Sequence, residues 1–316
     1  MPLSGTRVRR GEPENQKRRW MRVLLLFFAL LIAPLVIWMI IESKIVNLIV
    51  TDVWLGRLPR EFDGVKILFV SDLHMDIYAS PERTMALMSE FQALEPDILI
   101  LGGDYTHFSR FGGAQAELKR RDTFFELMAG FRAPMGKYGV AGNHDTDPSN
   151  KLLIDAPLGV AMARGGVTLL KNSAVTLERR GASITLAGLD DWIFGNKDLR
   201  GVAERAGAAG CVILVSHSPD ALPKLSAETA EYGNWVDLML TGHTHGGQLT
   251  LFGFKMLMKS SVYGERYQSG WYNEYGVKML VSNGVGSVFL PLRLCAPAQA
   301  HLLTLRSGAN IAGMTR

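Results

Sequence analysis

Five short apolar runs in this chain end in the same kind of residue, and that repetition restricts the possible folds more than any other feature. Residues 65–70 lead into Ser71-Asp72-Leu73-His74, and residues 97–101 into Gly102-Gly103-Asp104. Residues 137–141 lead into Gly142-Asn143-His144-Asp145, residues 211–215 into Ser216-His217, and residues 236–240 into Thr241-Gly242-His243-Thr244-His245-Gly246-Gly247-Gln248. Short apolar runs bounded by glycine and polar residues read as buried strands. Residues 277–281 read the same way, and residues 182–187 and 302–305 do so more weakly. Helical patterns lie between them. Ser80-Pro81 reads as a cap with proline in the first turn, ahead of Leu87, Met88, Phe91 and Leu94 on one face, and Phe124, Leu127, Met128 and Phe131 repeat that spacing before Pro134. Strands alternating with helices predict an α/β layered fold with much parallel pairing.

In open α/β sheets, ligands bind beyond the carboxyl ends of the strands. Five of the seven histidines stand at such ends, and only His107 and His301 do not. Taken singly, each end reads as an ordinary turn, since Asp and Asn bond readily to nearby backbone, and His217 alone reads as a satisfied core histidine. Five independent turns would have no common reason to carry Asp, His and Asn, so together they predict one site. The donors Asp72, His74, Asp104, Asn143, His217, His243 and His245 include no thiolate, which suits manganese, iron or zinc and disfavours a structural zinc cage. They are too many for one ion, but enough for two ions of about four protein ligands each if one carboxylate bridges. Paired ions roughly 3.5–4 Å apart are the usual device for in-line displacement at phosphorus. Gly242, Gly246 and Gly247 would let the backbone turn close to them.

The series D-x-H, G-D, G-N-H-D, H and G-H-x-H, in this order, resembles the calcineurin-like metallophosphoesterase superfamily over residues 60–306. The stretches DGVKILFVSDLH, GHTHGGQ and VSNGVGSVFLPLR are similar to its membrane-associated bacterial branch of small phosphodiesterases, which includes a form of UDP-2,3-diacylglucosamine hydrolase. The resemblance implies an α/β fold of the metallophosphoesterase type, a layered β-sandwich flanked by helices. It implies two divalent ions, manganese foremost with iron or zinc as alternatives. Asp72, His74 and His245 would hold one ion, Asn143, His217 and His243 the other, with Asp104 bridging. His144 would be the general acid that protonates the leaving oxygen, Asp145 would orient its ring, and a metal-bridging hydroxide would be the nucleophile. Where the branch often shows Pro-Pro-Glu, this chain has Pro297-Ala298-Gln299, so that glutamate's role is not carried over.

Residues 23–41, VLLLFFALLIAPLVIWMII, form an uncharged apolar run whose length as a helix, about 28 Å, matches a bilayer core. Pro34 is tolerated in such a segment, and Trp20 and Trp38 sit where interfacial aromatics are expected. The run exceeds a usual signal h-region and no A-x-A-like site follows it, so the reading is an uncleaved anchor. This divides the chain into a basic tail (1–22), a transmembrane anchor (23–41) and a metallophosphoesterase domain (42–316). The tail carries seven of the 34 basic residues, against Lys44, Arg57 and Arg60 soon after the span, which predicts a cytoplasmic tail and an extracytoplasmic domain. Without the tail the body is close to neutral, so no nucleic-acid partner is expected.

The expected substrate is a phosphate ester, with a lipid-linked one as a narrower reading: residues 251–258, LFGFKMLM, would reach acyl chains or equally form a buried hairpin. Three functions compete: a membrane-anchored hydrolase of phosphodiester or pyrophosphate bonds, a UDP-2,3-diacylglucosamine pyrophosphatase of lipid A synthesis, and a catalytically inactive scaffold. Against the second, a nucleotide-linked substrate would be cytoplasmic. Against the third, no ligand is missing. His107 reads as a loop histidine, Asp190-Asp191-Trp192 as either a capped turn or part of the site rim, and Arg293 as a surface arginine rather than a phosphate ligand. The two cysteines make no disulfide framework, and Cys211 reads as a small core residue.

Overall fold

Strands buried on both faces read as continuous apolar runs, because neither face meets water. That is what KILFV (β2, Lys66–Val70), ILIL (β3, Ile98–Leu101), VILV (β8, Val212–Val215) and LMLT (β9, Leu238–Thr241) become in the structure, a computed structural model. It describes residues 12–76, 78–106, 113–146, 157–207, 210–252, 255–256 and 260–308. Two six-stranded sheets face each other. One runs β1 (Val46–Leu55), β14 (Ala298–Ser307), β2, β3, β4 (Lys137–Gly139), β5 (Val167–Leu169). The other runs β12 (Gly270–Glu274), β13 (Val277–Val281), β9, β8, β7 (Ala182–Gly188), β6 (Ser173–Arg179), and the short strands β10 (Thr250–Leu251) and β11 (Lys255–Met256) pair separately. The central strands β2, β3, β4 and β5 pair in parallel, as do β13, β9, β8 and β7, which confirms the layered α/β expectation.

Side chains alternate between two cores, as the strand period requires. Ile67, Phe69, Ile98 and Ile100 of one sheet meet Ile184, Ile213, Val215, Leu238 and Leu240 of the other. Their neighbours Leu68, Val70, Leu99 and Leu101 point outward, onto Met88 and Phe91 of α2 (Pro81–Gln92) and Phe124, Phe125 and Met128 of α3 (Ala114–Met128). The second sheet's outer face is covered likewise by helices Leu199–Ala206 and Ala221–Glu228. Ser80 caps α2 from its side-chain oxygen, with Pro81 at the first position.

The first helix, α1 (Glu12–Glu42), contains the apolar run and continues back through Arg22, Arg19, Arg18 and Lys17. Its Gln16–Glu42 stretch is long and apolar enough to cross a membrane, and it is exposed except at its end, where Met39 is half-buried and Glu42 buried. The helix end is tied to the domain: Arg293 N donates to Met39 O (3.0 Å), Ser43 Oγ to Pro291 O (2.7 Å), and the Glu42 carboxylate accepts from Cys295 N (3.2 Å) and Ala296 N (2.9 Å). The chain then enters β1, which lies parallel to β14 over ten residues.

Apart from the strand ends, β14 carries a histidine in the core. His301 is 2% exposed, packs at 6.4 Å on the Phe69 ring, and neither ring nitrogen has a hydrogen-bond partner among the described residues. Burial pushes its pKa down to about 4. An unfolded histidine titrates near 6.5, so between the two values the unfolded chain binds the extra proton and stability falls as pH falls. The full loss, reached below pH 4, is about 3 kcal/mol at 1.36 kcal/mol per pKa unit. Thermal unfolding of wild type and His301→Leu should therefore diverge in pH dependence between pH 7 and 4.5, with the variant less acid-sensitive. Parallel curves would refute this.

Candidate metal centre

Every strand end singled out by its polar residues meets at one edge of the two sheets. Asp72 and His74 follow β2, Asp104 follows β3, Asn143 and His144 open the short helix Asn143–Thr146 after β4, His217 follows β8, and His243 and His245 follow β9. Asp72, His74, Asp104, His217, His243 and His245 are buried, and Asn143 and His144 are half-buried.

The backbone at these ends is unusual. Asp72, His74, Asp104, His243 and His245 all have positive φ, between 43° and 71°, a region that non-glycine residues rarely adopt. Such strain persists where surrounding structure over-determines it and clusters at functional sites. The over-determination is visible. Asp145 accepts backbone N–H bonds from Asp104 (2.8 Å) and Gly142 (2.9 Å) on one oxygen and from Tyr105 (3.2 Å) on the other. His144 N donates to Asp104 Oδ1 (2.8 Å), and His243 N reaches both oxygens of Asp72 (3.0 and 3.1 Å). A Cβ at Gly242 would overlap Ser71 Oγ and Asp72 Oδ2, so that strand end can approach only as glycine.

Three sets of donor atoms lie close enough to hold an ion: Asp72, His74 and His245; Asp104, His217 and His243; and His74, Asp104 and His144. His74 Nε2 and His245 Nε2 are 3.0 Å apart, and His245 Nε2 is 3.4 Å from Asp72 Oδ1. Asp104 Oδ2 stands between the first two sets, 3.5 Å from His74 Nε2 and 3.1 Å from His217 Nε2. The far side of the His217 ring is fixed, since its Nδ1 lies 2.8 Å from Gly102 O and so carries the proton, which turns Nε2 toward Asp104. His243 Nε2 is 3.0 Å from Ser260 O, which by the same logic leaves Nδ1 as its free donor.

These residues fit divalent cations. Asn143 Oδ1 is a buried atom without a hydrogen-bond partner among the described residues, and buried polar atoms are rarely left so. The electrostatics agree in direction. Burial drives Asp72 up to about 6 despite His217 nearby, while Asp104 is held well below the carboxylate range because His217 and His144 outweigh burial. Burial opposes charge on His217 too, but Asp104 and Asp72 raise it to about 10. A cation and the His217 proton compete for the same atoms, so metal binding should release protons.

Both oxygens of Asp145 accept backbone N–H bonds and hold the Asp104 loop against the Gly142 turn. The His144 ring packs edge-on against His74, centroids 5.0 Å apart. One expectation is corrected. Arg293, expected at the surface, is fully buried, and no sequence signal separates such an arginine from an exposed one. Its Nη1 donates to Ala296 O (2.7 Å) and His245 O (3.3 Å), and its Nη2 to the carbonyls of Asn283 (2.8 Å), Gly284 (3.1 Å) and Gly286. Asp190-Asp191-Trp192 is both a turn and a neighbour of the site. Asp191 Oδ2 accepts from Ile193 N and Phe194 N, and also from Thr146 Oγ1 (3.0 Å), one residue past Asp145. Leu251 and Phe252 are exposed, which excludes a buried hairpin for these two, while most of residues 253–259 and His107 lie outside the described residues.

The profile of the family described as calcineurin-like phosphoesterase matches residues 65–247, which run from β2 through the His243-x-His245 turn. The chain is 31% identical over 251 residues to the metallophosphoesterase YkuE of Bacillus subtilis, covering 79% of this chain and 82% of that one. It is 30% identical to the phosphodiesterase YaeI of Escherichia coli, covering 76% and 82%. A transmembrane protein with metallophosphoesterase domain from Danio rerio is 23% identical, over 79% of this chain and 55% of that one.

Proposed function

The chain belongs to the calcineurin-like phosphoesterase family, and from that premise we propose that it is a membrane-anchored, two-metal hydrolase of phosphodiester or pyrophosphate bonds. The observation that carries this reading is Asp104 Oδ2, set between His74 and His217, which belong to separate donor sets. Asp72, His74 and His245 would hold one ion, and Asn143, His217 and His243 the other, with Asp104 shared. When bound, such a pair supplies Lewis acidity toward the phosphoryl oxygens and lowers the pKa of water. Manganese is the first choice for this oxygen and imidazole set, with iron or zinc as alternatives.

The protein's own residues supply the rest. Asp145 fixes the loop that presents Asp104, and Gly102 O fixes the His217 ring, so the donors are set in place before any ligand arrives. His144, half-buried beside His74 and Asp104, lies where it would deliver a proton to the leaving oxygen. His144, His243, His245 and Phe289 line a common pocket, whose Phe289 rim and adjacent Leu290 are exposed. Pro291, next in sequence, is bonded to the end of α1, which favours a lipid-linked ester among the substrates.

Full-length protein in neutral detergent, stripped of metal and resupplied with Mn²⁺, should hydrolyse bis-p-nitrophenyl phosphate. Inactivity with manganese, iron and zinc on several diesters would reject the reading. The positive flank of α1 supports an extracytoplasmic domain. A C-terminal alkaline phosphatase fusion, active only outside the cytoplasm, should be active, and an inactive fusion would place the domain inside.

A further inference from the structure

A cavity of about 330 Å³ lies between the end of α1 and His74, distinct from the pocket lined by Asp104, Asn143, His243 and His245. Ser43 and Lys44 form its membrane-side wall, Arg83 and Thr84 at the start of α2 another, and His74 and Gly286 its inner end. We infer that this cavity is a second anion subsite, taking a phosphate-type group of a molecule at the membrane surface alongside the metal centre.

The charge arrangement carries the inference. Lys44 Nζ and Arg83 Nη1 each stand 3.5 Å from the same acceptor, the Tyr78 carbonyl oxygen, so two cations face one neutral group. Neither is in an ion pair among the described residues. Asp76 and Glu90 also line the cavity, but Asp76 Oδ1 already accepts the N–H groups of Tyr78 (2.6 Å) and Ala79 (3.0 Å). Burial and then Arg83 lower the Lys44 pKa, with Asp76 opposing, so Arg83 is close enough for the two cations to repel. Phosphate is the natural complement: it accepts from both cations at once, and the Arg83 fork matches its oxygens.

Location and lining narrow the ligand. Lys44 lies two residues past the end of the membrane-length helix, at the depth where lipid phosphates sit and basic side chains meet them. Val46, Leu73, Leu87 and Pro291 give the cavity apolar surface, and its volume, at the lower end of ligand-site sizes, accommodates a head group with a few methylenes. Through His74 the cavity adjoins the donor set Asp72, His74 and His245. A phosphate bound there would belong to the substrate's uncleaved portion or to a neighbouring lipid.

The test measures binding rather than turnover, so its outcome is separate from the hydrolase reading. Full-length protein in dodecyl maltoside is stripped of metal, which removes phosphate binding at the metal donors, and titrated calorimetrically with inorganic phosphate and with hexyl phosphate. Wild type should bind, and Lys44→Gln/Arg83→Gln should bind at least about tenfold more weakly, with Lys44→Arg retaining most of the affinity. Hexyl phosphate binding about tenfold tighter than phosphate would identify an amphiphile as the ligand, and comparable affinities a free anion. Circular dichroism of each stripped protein checks that the fold is kept. No binding of either probe by folded wild type, or equal binding by the folded double variant, would overturn the subsite.

Discussion

His144→Ala should slow hydrolysis of alkyl phosphate esters by about 10²–10⁴-fold while two metal ions per chain remain bound. The structure allows two roles for this ring. It lies within donor reach of His74 and Asp104, the geometry of a ligand, and it is half-buried at the mouth of the pocket, the position of an acid. Its backbone N–H donates to Asp104, so removing the ring leaves that hydrogen bond of the loop in place. The leaving group separates the roles. A p-nitrophenolate departs without help, whereas an alkoxide needs a proton, so loss of a general acid should slow alkyl esters far more than nitrophenyl esters. Loss of a ligand should slow both equally and lower the metal count. Metal analysis of His144→Ala beside rates on the two ester types decides, and equal slowing with lost metal would refute the acid.

The donors were legible because each follows an apolar run, and such runs mark buried strands whose carboxyl ends converge in this architecture. Other features depend on contacts between segments distant in sequence. The strand Val46–Leu55 closely follows the apolar helix, and its partner is residues 298–307, so neither length nor a flanking turn marked it. The positive φ of five donors follows from how the loops pack. Asp145 was legible as part of the candidate site, but the backbone N–H groups of Asp104 and Tyr105 that it gathers were not, because they belong to a loop distant in sequence. His301 resembled any other histidine until β14 placed it between the sheets.

Arg293 is the clearest case of a residue whose importance lies in tertiary contacts, and Arg293→Ala should be among the most damaging single changes in the domain. The guanidinium is fully buried and satisfies five backbone carbonyls drawn from three segments: the His245 turn, residues 283–286 and Ala296. Burial lowers its pKa to about 10, with Asp72 and Glu42 opposing, so it remains charged at neutral pH. Alanine would strand those carbonyls in a cavity too enclosed to solvate them fully, at about 1–3 kcal/mol for each group left unpaired. Partial relaxation makes about 3–5 kcal/mol the reasonable total, as for breaking other buried charged networks. In a domain of this size that lowers the melting temperature by on the order of 10 °C. The loss should also reach the site selectively, because Arg293 Nη2 stands 3.5 Å from His245 Nδ1 and its Nη1 holds the His245 carbonyl. The ion proposed for Asp72, His74 and His245 should therefore weaken more than the other. Arg293→Lys keeps the charge but places its donors on one nitrogen, which cannot span the same carbonyls, so it should rescue only part of the stability. Melting curves and metal stoichiometry of the two variants provide the check. An Arg293→Ala protein that melts like wild type and retains both ions would show that these loops hold together without it.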